Sequence, residues 1–197
     1  DEGLDFWLLR QLGSSPGSPQ RLAGALPADV HPFGSSASSF TLAAVAADLD
    51  ADGRDEAVLA MPGQDAEHCA LLVLQVEPER VIVRSDVRVA EPCARVEISP
   101  VHADADGHLD IAWLTGRADG SDRQLSILWN DGAGALSAEQ RSVVSDRAAS
   151  PQAFALLPGN VARGAGLVYA TASGLERVAI AADTRELGPA EPLAPLV

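Results

Sequence analysis

Asp48-Leu49-Asp50-Ala51-Asp52-Gly53-Arg54-Asp55-Glu56 sets three aspartates at alternate positions, then a glycine, then an acidic ninth residue. A hard divalent cation takes about six to eight oxygen ligands at about 2.3 to 2.6 Å. Side chains at the first, third, fifth and ninth positions, with the carbonyl at the seventh, wrap one such ion. Asp48, Asp50, Asp52 and Glu56 are therefore candidate side-chain ligands, and Arg54 a candidate carbonyl ligand. Gly53 supplies the sharp turn, because it reaches φ > 0 without a Cβ clash. Apolar Ala57-Val58-Leu59-Ala60 follows at once, so the loop opens a β-strand. A helix-loop-helix calcium site would need a bidentate glutamate at the twelfth position. That position is Leu59, and the run before Pro62-Gly63 is too short and too rich in Val, Leu and Met for the second helix.

The loop recurs. His102-Ala103-Asp104-Ala105-Asp106-Gly107-His108-Leu109-Asp110 is followed by Ile111-Ala112-Trp113-Leu114-Thr115-Gly116, with Glu56 moved to Asp110. Asp104, Asp106 and Asp110 are candidate ligands of a second ion, with the carbonyl of His108. A tail of the same loop precedes Phe6-Trp7-Leu8-Leu9 at Asp5, and Gly166 stands at the corresponding place ahead of Leu167-Val168-Tyr169. There Pro158, Asn160 and Ala162 replace the aspartates, so that unit is expected to form without metal. Self-similarity at a period of about 50 residues is the mark of a repeat architecture.

Between the loops, apolar and alternating runs are parted by turn chemistry. Strands are predicted at 40–47, 57–61, 70–76 and 80–89, then at 94–98, 111–114, 125–129 and 142–144, then at 153–157, 166–171, 175–181 and 186–187. Asn130-Asp131-Gly132 is a hairpin turn signal. Four strands per unit predict an all-β chain of propeller blades, each of four antiparallel strands, with units near 1–39, 40–92, 93–149 and 150–197 in a single domain. The competing arrangement is a β-sandwich whose acidic loops are solvated turns, since Asp and Gly dominate turns anyway. With about three and a half blades, further blades from other sequence or another chain are expected to complete the ring, the alternative being an unusually small, self-closed four-bladed ring.

Composition narrows the partners. Fourteen basic residues, all arginine, against twenty-eight acidic ones give a net charge of −14, which repels nucleic acid and anionic membranes and favours a cation. A hydrophobic content of 47% argues against disorder. No apolar run approaches the roughly 18 residues of a membrane span. Cys69 and Cys93 are too few for a disulfide scaffold and lack metal-ligand spacing; they are either one disulfide or two buried thiols.

Asp48 through Met61, His102 through Gly116, and Leu125-Ser126-Ile127-Leu128-Trp129-Asn130-Asp131-Gly132-Ala133-Gly134-Ala135-Leu136 resemble the FG-GAP and VCBS repeats of integrin-α-type β-propellers. The resemblance implies calcium loops that join the first and second strands of a blade and stiffen it, with ligands meeting the opposite face. Glu56 departs from the aspartate usual at the ninth position but keeps its charge. His102 departs at the first, and imidazole is a poor ligand for calcium. Weaker occupancy of the second loop follows, or a borderline metal such as zinc or manganese.

Catalysis has no evident carrier: His31, His68, His102 and His108 lack a nucleophile motif, and there is no glycine-rich phosphate cradle. The expected function is a noncatalytic, extracellular, cell-surface or periplasmic calcium-binding module for protein or glycan binding or assembly. The alternative is a carbohydrate-active enzyme domain of the polysaccharide-lyase propeller kind. Loops 63–68 and 117–123 are the candidate contact loops. Phe6, Trp7, Trp113 and Tyr169 are expected in inter-blade core, and Trp129 partly exposed.

Overall fold

A computed structural model describes residues 42–63, 67–145, 150–157, 165–181 and 183–195, together with the backbone of four short strands nearer the start. Those four are β1 (Phe6–Leu8), β2 (Gln11–Leu12), β3 (Ser15–Pro16) and β4 (Gln20–Leu22), with β1 antiparallel to β4 and β2 to β3. The rest is three antiparallel four-stranded sheets, each laid down in sequence order. The first is β5 (Ala43–Ala47), β6 (Glu56–Pro62), β7 (Cys69–Val76) and β8 (Val81–Val89). The second is β9 (Arg95–Val101), β10 (Asp110–Gly116), β11 (Gln124–Leu128) and β12 (Arg141–Ser145). The third is β13 (Ala153–Leu157), β14 (Gly166–Thr171), β15 (Gly174–Ile180) and β16 (Leu187–Pro195). The chain is all-β, and among the described residues no helix is long and apolar enough to cross a membrane.

The sheets stack face on face, and β10 shows why. Its residues Ile-Ala-Trp-Leu are apolar without a break, the mark of a strand covered on both sides. Alternation then sends Ile111 and Trp113 into one core with Val58, Leu71 and Val73 of the first sheet and Leu49 of its first loop. Ala112 and Leu114 enter a second core with Leu167, Tyr169, Val178 and Ile180 of the third. Trp113 and Tyr169, expected between units, lie there fully buried. Truncating a core aromatic such as Trp113 to alanine costs roughly 3 to 5 kcal/mol. The far face of the first sheet buries Met61, Leu72 and Leu74 as a third cluster. On the far face of the third sheet, Ala153, Ala155, Leu157 and Leu175 are exposed.

Several strands outrun their expected lengths, two of them continuing past prolines. β9 continues through Pro100 to Val101, and β16 runs nine residues through Pro189 and Pro192 where only 186–187 were expected. Both are edge strands, where a residue without an N–H breaks no ladder bond. The strand expected from Phe40 is described from Ala43. Cys69 and Cys93 form a buried disulfide that ties the start of β7 to the segment between β8 and β9, which settles the two open alternatives for these residues.

Candidate metal centre

Both acidic loops join the first strand of a sheet to its second: residues 48–55 link β5 to β6, and 102–109 link β9 to β10. They close by the same bonds. The ninth-position carboxylate accepts the amide of the second residue, Glu56 Oε2 from Leu49 N–H at 2.9 Å and Asp110 Oδ2 from Ala103 N–H at 3.1 Å. The third-position carboxylate accepts the fifth amide, Asp50 from Asp52 at 3.2 Å and Asp104 from Asp106 at 3.1 Å. The fifth accepts the seventh, Asp52 from Arg54 and Asp106 from His108, each at 2.8 Å. Gly53 and Gly107 both sit at φ 85°, where a side chain is strained.

In the first loop, Asp48, Asp50 and Glu56 each present an oxygen within 4.8 Å of the others. Two oxygens on opposite sides of an ion with bonds of about 2.4 Å are about 4.8 Å apart, so these three are close enough together to share one metal ion. Asp48 also accepts the amides of Asp52 at 3.1 Å and Gly53 at 3.0 Å. Burial pushes the Glu56 carboxyl up, its bond from Leu49 opposes the shift, and the charges of Asp50, Asp52 and Asp48 add to it. Among the described residues no ion pair reaches Asp48, Asp50 or Glu56. Asp52 stands outside the converging group, as does Asp55.

The second loop is arranged otherwise. His102 Nδ1 meets the His108 carbonyl at 3.0 Å; a carbonyl only accepts, so the ring nitrogen donates, and the seventh-position oxygen is already engaged. Asp104 and Asp106 turn to Arg185, between β15 and β16, at 2.6 and 2.8 Å. Asp110 is fully buried and accepts Asn130 N–H at 2.9 Å through Oδ1. Burial pushes its carboxyl up to about 6 against the bonds from Asn130 and Ala103, with Asp104 and Asp106 adding to the rise. Arg185 carries no local signal in the sequence; its partners lie about 80 residues away. The loop tail at Asp5 and the residues ahead of Ala165 lie outside the described residues.

The candidate contact loops sit at the other end of the strands, between β6 and β7 and between β10 and β11, and they meet. Arg117 forks onto Glu67 at 2.6 and 3.0 Å and reaches Asp122 at 2.6 Å. Residues 64–66 lie outside the description. Two expectations are corrected. Arg123 is buried, donating to the Gln152 carbonyl and to Glu97. Trp129 is only 4% exposed, its Nε1 donating to Ser142 Oγ at 2.9 Å, because the neighbouring sheet and Arg185 cover it. No protein-family model, no curated protein and no solved structure matches the chain.

Proposed function

We propose that the chain forms blades of a β-propeller of the FG-GAP/VCBS kind, stiffened by calcium at Asp48, Asp50 and Glu56, and that it works as a noncatalytic module for binding a protein or glycan or for assembly. The observation that carries this reading is the repeated loop: one bonding pattern closes residues 48–56 and 102–110 between the first and second strands of two stacked sheets. An ion in the first loop would turn the mutual repulsion of three carboxylates into attraction and fix the entry to β6. Arg54 through its carbonyl and Asp52 complete the expected ligand set.

Three further features support it. The far face of the third sheet exposes Ala153, Ala155, Leu157 and Leu175 around Arg177, and another blade, from further sequence or another chain, would cover these apolar residues. The buried disulfide suits an oxidising, extracellular or periplasmic setting, where millimolar calcium fills sites with dissociation constants of about 10⁻⁴ to 10⁻³ M. The loops joined by Arg117 and Glu67 lie away from the acidic end and offer a polar contact face. Calcium titration of the thermal midpoint tests the metal, with Asp50→Asn as control; glycan arrays and copurification test the ligand. A midpoint that calcium leaves unmoved in the wild type ends the metal assignment.

A further inference from the structure

The two acidic loops share a bonding pattern but not a cation. Each is approached by the turn between the third and fourth strands of the next sheet. The first loop meets the turn after β11, where Gly134 brings no charge: a Cβ there would lie 3.1 Å from Asp50 Cβ. The second loop meets the turn after β15, which carries Arg185.

We infer that Arg185 is the resident counter-ion of the second loop, its guanidinium held by the third- and fifth-position carboxylates, so that the second loop closes without any ion and clasps the third sheet to the second. Nε donates to Asp104 Oδ2 at 2.6 Å, and Nη2 donates to Asp106 Oδ2 at 2.8 Å and to the Asn130 carbonyl at 2.9 Å. The fork spreads one positive charge over two carboxylates, which lysine could not do with the same geometry. Asp104's side chain is 2% exposed, so water gives it little help and the guanidinium supplies the compensation. The guanidinium also lies over the Trp129 ring, 5.5 Å from its centre. Arg185 holds φ at 58°, a left-handed conformation that a non-glycine residue keeps only when its surroundings fix it.

Two other features of the loop agree. His102 brings no carboxylate to the first position, and its ring N–H occupies the His108 carbonyl. A divalent ion would have to displace Arg185, break that bond and accept a poorer ligand set. The inference rests on the second loop's own contacts and holds whichever ion the first loop takes.

The melting tests use the full chain in chelator at low salt, and the calcium titrations the same chain freed of chelator. Arg185→Gln is expected to lower the thermal midpoint by roughly 3 to 8 °C, and adding Asp104→Asn and Asp106→Asn to it should recover part of that loss. Arg185→Lys, which keeps the charge without the fork, should fall between the two and serves where the glutamine variant does not fold. With the first loop silenced by Asp50→Asn, calorimetry should show no calcium binding up to about 1 mM, whereas adding His102→Asp and Arg185→Gln should create one site. Full additivity of the Arg185 and aspartate changes, a lysine variant as stable as wild type, or an ion bound in the Asp50→Asn protein would each overturn the inference.

Discussion

The side-chain amide of Asn130 donates to the Leu49 carbonyl at 2.6 Å, across 81 residues of sequence. Leu49 belongs to the first acidic loop, and the same amide group donates to Leu109 of the second at 3.0 Å. Asn130 Oδ1 accepts Gly132 N–H, its own N–H donates to Asp110, and its carbonyl accepts Arg185. Every polar group of this fully buried residue is therefore engaged, and three sheets meet through it. Asn130→Ala strands buried carbonyls and should lower the unfolding free energy by about 2 to 3 kcal/mol. Asn130→Asp should cost more, since a carboxylate cannot donate to two carbonyls and sits beside Asp110. Urea unfolding measures both, and an aspartate variant more stable than the alanine one would contradict the donor role.

Glu56 should show opposite signs in two buffers. Its carboxyl is buried and faces three aspartates, so without metal the charge is a liability, and Glu56→Gln keeps an oxygen for Leu49 N–H while removing the charge. In chelator the glutamine variant should melt above wild type. In calcium at about 100 times the dissociation constant, wild type gains about 2.7 kcal/mol from binding, and the variant should lose most of it. Scanning calorimetry with and without calcium decides this; a variant less stable in both buffers would show that repulsion is not what the ion relieves.

The strands and acidic loops were legible because their signals are local. Alternation, unbroken apolar runs, and the Asp-x-Asp-x-Asp-Gly spacing each occupy fewer than ten residues, and β6, β10, β14 and both loops appear where those signals stand. What escaped depends on partners distant in sequence. Arg185 is one arginine in a polar turn until the third sheet is laid on the second, and Asn130 reads as a hairpin residue until Leu49 arrives. Trp129 looked exposed beside a turn, yet Arg185 closes over it. β16 was hidden by its prolines, a local signal against strand that an edge position overrides.

Gly132 sits at φ 82°, and a Cβ there would stand 2.4 Å from the His108 ring. Gly53 has nearly the same φ with nothing within 4 Å. Gly53→Ala should cost only the backbone strain, about 1 to 2 kcal/mol, while Gly132→Ala adds the displacement of the ring, for roughly 2 to 4 kcal/mol in all. Adding His108→Ala to Gly132→Ala should return the excess. Denaturant midpoints of the three variants test the contact, and equal losses at the two glycines would refute it.

Cys69 and Cys93 are 24 residues apart, and cross-linking such a loop restricts the unfolded chain by about 3 kcal/mol in the entropy model. Replacing both with serine should remove that amount, and because the residues are fully buried, reductant should act on the native protein slowly and on the unfolded protein fast. Unfolding in urea with and without reductant reads the difference. Identical midpoints would mean that the bond adds nothing to stability.

Asp110 gives the metal-free protein an unusual pH response. Its carboxyl rises from the ordinary 3.8 to about 6 because burial disfavours the charge more than the Asn130 and Ala103 amides favour it. Between about pH 4 and 6 the native state then binds more protons at this site than the unfolded chain, so stability falls as pH rises through that window. The contribution is full below the unfolded value and gone above about 6, on the order of 2 to 3 kcal/mol across the range. Glu56, shifted in the same direction, adds to the slope. Melting in chelator from pH 4 to 7 should therefore decline more steeply in wild type than in Asp110→Asn, which has no charge to acquire, and carboxyl NMR should place the Asp110 midpoint well above 4. Saturating calcium should flatten the Glu56 part while leaving the Asp110 part, since Arg185 rather than an ion faces that loop.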